Sequence, residues 1–253
     1  FNFLELDSDN DDCFDVIEAG FTGNGLGILQ ATPFDVNDKG KVINNDLNGY
    51  MNPNDDHYII DGKINIIKFE DTTFCEEETN EIEIETNAET FQWQMSTDNG
   101  VSFVDITEGI TLEGATFSQV KDNKLKISNT SKNFNNYQFQ VVLGKTGNSC
   151  GKISTPITLT VNPKPLLLNN QVTLKQCADD ASRNTIINLT EAEKNIVNDV
   201  TIVTFQYFET ETAAINGDIS KLIADGDEKH QPVINGFAEA GVRIISITTG
   251  CYS

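Results

Sequence analysis

Basic residues are scarce in this chain. Over 253 residues, 17 lysines and arginines stand against 39 acids, a net charge of −22. A surface of that sign repels phosphate backbones and anionic lipid, which argues against nucleic acid as a partner. Long apolar runs are missing as well. Without a stretch of about 18 apolar residues, insertion of a helix into a membrane is not expected. The five cysteines form no C-x-x-C pair, which argues against a zinc ribbon or a thioredoxin-like redox site. No H-E-x-x-H or glycine-rich phosphate loop occurs, and His57 and His230 stand in no recognisable cysteine-protease setting. Acid pairs are plentiful enough to leave a carboxylate dyad open by composition, but no motif positions one, so the chain is not expected to be an enzyme. Hydrophobic residues, at 38%, are below the usual share, which predicts thin cores. No signal peptide is visible and the chain starts at Phe1. It is therefore read as an internal or processed piece, with export signals outside it and its last module cut at the C-terminal end.

What is present in excess is acid, and it is concentrated. Residues 1–62 carry 13 acids and only Lys39 and Lys41 as bases, a net −11. Carboxylates packed so densely repel one another unless a divalent cation neutralises them. The sharpest signal lies in residues 7–18. Asp7, Asp9, Asp11, Asp15 and Glu18 fall at positions one, three, five, nine and twelve of a twelve-residue calcium loop, and Cys13 at position seven would offer its backbone carbonyl. Alternate side chains of a tight loop converge on one centre, and Glu18 on the following turn can bind through both oxygens. Position six, usually glycine, is Asp12, a residue type that tolerates left-handed backbone better than most. Weaker echoes follow. Asp35, Asn37, Gly40 and Asp46 form one partial set, with Lys39 at a ligand position; Asn52, Asn54, Asp56 and Asp61 form another. The alternative for each is a solvated acidic turn. Calcium is the only cofactor expected.

Beyond residue 62 the pattern changes. Ile64-Asn65-Ile66-Ile67, Glu81-Ile82-Glu83-Ile84-Glu85, Phe91-Gln92-Trp93-Gln94-Met95, Leu125-Lys126-Ile127 and Tyr137-Gln138-Phe139-Gln140-Val141 alternate apolar with polar, as strands with one buried face do. Turns are predicted at Ser96-Thr97-Asp98-Asn99-Gly100 and Gly144-Lys145-Thr146-Gly147-Asn148. The fold class read from this is mainly β: a calcium-binding loop region at 1–62, an immunoglobulin-like β-sandwich at 63–162, and a second sandwich-like repeat at 163–253. Asn162-Pro163-Lys164-Pro165 would be a stiff linker. In the last module Gln171-Val172-Thr173-Leu174, residues 200–208 and residues 242–247 read as strands. Thr190 with Glu193 reads as a capping box or, equally, as polar loop. Trp93, the single tryptophan, is expected in the sandwich core, with ligand stacking as the alternative. An exposed aromatic platform for carbohydrate would have to come from Tyr50, Tyr58 and Tyr252.

Widely spaced cysteines in such a chain suggest long-range disulfides in an oxidising compartment. Cys75 before one strand and Cys150 after another are expected to clip the sandwich edge as Cys75–Cys150, closing a loop worth on the order of 4 kcal/mol. Cys177–Cys251 would staple the last module, leaving Cys13 as a small buried hydrophobe or paired outside the fragment.

Residues 2–21, with their Asp-rich loop, resemble the thrombospondin type 3-like calcium segments of very large proteins exported by the type IX secretion system of Bacteroidota. Phe74-Cys75-Glu76, residues 91–100, Leu125-Lys126-Ile127-Ser128-Asn129, Tyr137-Gln138-Phe139, Ser149-Cys150-Gly151 and residues 157–163 resemble immunoglobulin-like repeats of the same proteins. Gln176-Cys177-Ala178-Asp179-Asp180, residues 187–192 and Gly250-Cys251-Tyr252 resemble a further repeat type. The resemblance implies a multi-repeat adhesin, in some relatives linked to gliding motility, located outside the cell or on its surface. Its partners would be neighbouring repeats of the same long chain, the secretion machinery, and a surface polysaccharide or another cell. It also implies O-glycosylation at Thr72, in the signal Asp71-Thr72-Thr73, on a loop between the first two segments.

Overall fold

The computed structural model describes residues 7–18, 60–177, 181, 185–223, 230–233 and 236–253. The chain divides into two compact units, residues 1–161 and 162–253, with the acidic segment grouped with the sandwich that follows it.

The first unit is a β-sandwich. One sheet contains β2 (Thr72–Cys75), β12 (Ile157–Asn162), β10 (Gln138–Lys145), β5 (Thr90–Ser96) and β6 (Val104–Asp105) in that order, and β11 (Asn148–Ile153) pairs with the far half of β10. The other runs β3 (Asn80–Glu83), β9 (Lys124–Ser128), β8 (Ala115–Ser118), β7 (Thr111–Leu112). β1 (Ile66–Lys68) and β4 (Glu85–Thr86) form a separate antiparallel pair. The alternation seen in the sequence is the cause of this arrangement. Phe139, Val141 and Leu143 of β10 and Trp93 and Met95 of β5 point inward to meet Ile82, Leu125, Ile127, Ala115 and Phe117 of the opposite sheet. The intervening residues face out. β10 and β5 pair antiparallel over their whole length, with Val141 opposite Trp93.

Trp93 is completely buried, and its indole N–H donates to the Asp122 carbonyl at 2.8 Å. Phe69 packs edge-on against it at 5.9 Å. Trp93 is thus a core residue and offers no stacking face to a ligand. The Ser96–Gly100 turn is tied by Asp98, whose carboxylate accepts from the Ser96 and Ser102 hydroxyls and from the Ser102 amide. Those donors hold the Asp98 carboxyl down at about 2.

The second unit is smaller and mixed. Its described residues pair as β13 (Thr185–Asn188) with β15 (His230–Val233) and β14 (Val203–Phe208) with β16 (Gly241–Ser246). Larger sheets are not found among the described residues of this unit. The segment 171–174 is not a strand; its Val172 and Leu174 lie half-packed against Ile196, Val197, Val203 and Ile244. Residues 200–202 form a 3-10 turn before β14. The capping position also differs from expectation: Asn188, not Thr190, accepts the Thr190 amide at 3.0 Å and opens a 3-10 turn that runs into α2 (Glu193–Ile196); α1 (Asp15–Glu18) lies in the acidic loop of the first unit. A helix absent from the sequence reading, α3 (Glu211–Asn216), is capped by Thr210 and ends at Gly217 with φ +63°. Arg243 reaches the end of α3, donating to the Ile215 carbonyl at 2.9 Å, and lies 3.8 Å over the Tyr252 ring.

Candidate metal centre and disulfide clamp

The twelve-residue loop forms much as its spacing predicts. Asp7 accepts the amides of Asp11 and Asp12, both at 3.1 Å, and Asp11 accepts the Cys13 amide at 2.8 Å. Asn10 and Asp12 adopt left-handed backbone, φ +58° and +75°. Asp12 therefore makes the sharp turn that a glycine usually makes at the sixth position. α1 then carries Glu18 back over the loop.

This geometry converges carboxylates. Ligand-type oxygens of Asp7, Asp9 and Asp11 lie within 4.8 Å of one another, and Glu18 joins through Asp11 at the same range. Glu18 is 4% exposed and Asp11 1% exposed. Both carboxylate oxygens of Asp9, both of Glu18 and Oδ2 of Asp11 are buried without a hydrogen-bonding partner. Burial first, and then the charges of Asp11 and its neighbours, push Asp9 up to about 6 and Glu18 up to about 8; the Ser149 backbone opposes the rise at Glu18 but lacks the geometry of a full hydrogen bond to it. Orphaned buried anions of this kind are costly, several kcal/mol each in order of magnitude, unless something pairs with them. The nearby lysines do not. Lys63 and Lys152 lie 3.8 and 3.6 Å from the exposed Asp12, outside the cluster. Hard oxygen donors, a turn that aims them at one centre and orphaned buried charge together fit a calcium ion.

Asp15 departs from the predicted ligand set. Its carboxylate is engaged by the Ser8 amide and hydroxyl, at 2.6 and 2.5 Å, so it closes the loop rather than facing the cluster. The weaker candidates Asp35, Asn37, Asp46, Asn52, Asn54 and Asp56 lie outside the described residues, as do Tyr50 and Tyr58. Thr72 is half-buried on strand β2 instead of exposed in a loop, and Asp71 beside it accepts the Thr158 amide at 2.7 Å.

The disulfide pairing expected from spacing is overturned. Cys13 is bonded to Cys150, across 137 residues, not left alone, so Cys75–Cys150 does not form. Cys177 is a free, exposed thiol, so Cys177–Cys251 does not form either. Cys75 and Cys251 are each disulfide-bonded. The reason is tertiary: Cys150 lies on β11, and the acidic loop docks on that hairpin. Asn148 at its turn donates to the Asp11 carbonyl at 3.1 Å, and Lys63 donates to the Asn10 carbonyl at the same distance. Gly62 lies so close that a Cβ there would meet Asp11 Oδ2 and the Asn148 amide at 2.5 Å. None of Gly62, Lys63, Asn148 or Cys150 carries a local sequence signal for this docking. The bridge sulfur of Cys13 lies within 4.8 Å of Asp11 and Glu18 carboxylate oxygens. Being bonded to Cys150, it is not a thiolate ligand, and Cys13 can offer a metal only its carbonyl.

Residues 173–253 match the family model of the Flavobacterium inter-domain disulphide bond domain. No curated protein matches the chain. Among solved structures, the BTLA ectodomain is similar at 15% identity over 41% of this chain and 100% of that one, with a TM-score of 0.28. The sandwich assignment rests instead on the strand order and shared core described above. With four of its five cysteines bonded and its last third matching that domain, the chain is a disulfide-stiffened, mainly β module of extracellular type.

Proposed function

We propose that this chain is a structural spacer of a large exported bacterial surface protein, an adhesive stalk segment stiffened by calcium and by disulfides. The observation that carries the reading is the Asp7–Asp9–Asp11–Glu18 cluster: buried, orphaned carboxylates on a loop clamped covalently to the sandwich. Calcium would be held by these four side chains and the Cys13 carbonyl, and would supply the positive charge the cluster lacks. The acidic loop and the sandwich then act as one stiff body. Cys75 and Cys251 are disulfide-bonded as well, and residues 173–253 match the inter-domain disulphide bond domain, so covalent bracing is a recurrent feature of the chain. Its neighbours would be further repeats of the same chain and the type IX machinery that exports it, with a polysaccharide or another cell as the adhesion target. Asp71-Thr72-Thr73 would be glycosylated only before strand β2 closes.

Thermal unfolding of the oxidised protein in calcium and in a chelator tests this. A ligand held at about a hundred times its Kd stabilises by about 2.7 kcal/mol. Chelation should therefore lower the midpoint by several degrees, and Asp9→Ala combined with Asp11→Ala should abolish the difference. Identical midpoints for the wild-type chain in calcium and chelator would refute the metal-stiffened spacer.

A further inference from the structure

The metal cluster and the bridge meet in one residue. Cys13 stands at the seventh loop position, its amide held by Asp11 and its sulfur bonded to Cys150 beside the Asp11 and Glu18 carboxylates. We propose that calcium directs disulfide pairing in this chain: the ion folds the acidic loop into the shape that presents Cys13 to Cys150, and so selects this bridge from the pairings five cysteines allow. The proposal rests on the calcium reading above and goes beyond it.

Chain statistics alone do not select the observed bridge. Cys75 lies about 75 residues from Cys150, whereas Cys13 lies 137 away. Loop-closure entropy favours the shorter ring by about 2.5-fold. Charge opposes the longer one further. Bringing Cys13 to β11 also brings Asp9, Asp11 and Glu18 into a buried cluster whose Asp9 and Glu18 oxygens have no hydrogen-bonding partner, and no ion pair to them is found among the described residues. Among the described residues, the lysine contacts nearby go to Asp12 and to backbone carbonyls. A divalent cation removes that repulsion and fixes the turn at Asn10 and Asp12, where the backbone is already left-handed. Once the loop is formed, Asn148 caps the Asp11 carbonyl and Gly62 leaves room for its carboxylate, which seats Cys13 next to Cys150. The chemistry is ordinary thiol–disulfide exchange. The Cys13 thiolate attacks a Cys150 sulfur already joined to glutathione; the Cys13–Cys150 bond forms, the Cys150–glutathione bond breaks, and glutathione leaves as the thiolate, which takes up a proton. Oxidised glutathione supplies the oxidant. Coupling is reciprocal, so an intact bridge must raise calcium affinity by the factor by which calcium favours the bridge.

The experiment is oxidative refolding of the reduced, denatured chain in a glutathione buffer, with calcium chloride or with chelator, followed by thiol blocking and non-reducing peptide mapping. With calcium, the Cys13–Cys150 peptide pair should dominate. In chelator its yield should fall roughly fivefold or more, with Cys150 recovered as the glutathione adduct or joined to another cysteine. The double variant Asp9→Asn, Asp11→Asn refolded in calcium should behave like wild type in chelator. In the other direction, Cys13→Ser in the native chain should weaken calcium binding by a similar factor. Equal yields of the bridge with and without calcium, while the native oxidised chain binds calcium, would overturn this inference and leave the spacer reading standing. Absence of calcium binding by the native oxidised chain would overturn both.

Discussion

Replacing Cys13 and Cys150 together by serine is expected to destabilise the sandwich by about 5 kcal/mol, the loss of a cross-link that closes a ring of 137 residues in the chain-entropy model. The ring encloses β1 to β10, nearly the whole first unit, so the effect should appear in global unfolding and not only in fraying of the acidic loop. Trp93 makes the measurement clean. It is the only tryptophan and is fully buried in the sandwich, so its emission reports unfolding of this unit. Urea unfolding of the double variant, compared with the oxidised wild type in the same calcium concentration, should show a midpoint shift of that size. A shift below about 1 kcal/mol would mean that the loop is tethered without bracing the sandwich. A smaller loss that appears only in calcium would place the role of the bridge in the metal site alone.

Trp93→Ala should be comparably severe, about 3–5 kcal/mol. The substitution empties the centre of the interface between the two sheets, where Trp93 meets Phe69 and stands opposite Val141. It also leaves the Asp122 carbonyl without its donor. Trp93→Phe separates the two contributions. It keeps an aromatic in the core and loses the hydrogen bond and part of the volume, so it should cost about 1–3 kcal/mol. Denaturant unfolding followed by far-ultraviolet circular dichroism measures both variants. Near-neutral behaviour of Trp93→Ala would contradict a core role and restore the ligand-stacking alternative.

The parts of this structure legible in the sequence are those whose physics is local. Residues 91–95 and 137–141 could be read as strands because one face of each is buried, and burial writes a period of two into the sequence. The acidic loop could be read because its converging carboxylates sit within twelve residues, with even the left-handed position six carried by an aspartate that tolerates it. Disulfide connectivity is not local. Cys13 finds Cys150 because the acidic loop docks on the β10–β11 hairpin through Asn148, Lys63 and the space left by Gly62, and cysteine spacing does not encode that docking. Asp15 fits the ligand spacing yet is claimed by Ser8, a competition between two nearby acceptor uses that counting cannot resolve. In the second unit, residues 171–174 alternate like a strand, but Val172 and Leu174 gain only partial burial and the segment takes no place in a sheet. Thr210 and Gly217 frame a helix of six residues, too short for its periodicity to stand out.

Direct titration of calcium into the oxidised, metal-stripped chain addresses the central claim most closely, with Glu18→Gln as the partner measurement. Glu18 is 96% buried in the sense that only 4% of it is exposed, and neither carboxylate oxygen has a protein hydrogen-bonding partner. The account predicts saturable calcium binding to the wild-type chain, weakened at least about tenfold in Glu18→Gln, as expected when a buried, bidentate carboxylate ligand is lost. Saturable binding of unchanged strength in Glu18→Gln, or no saturable binding at all, would contradict it.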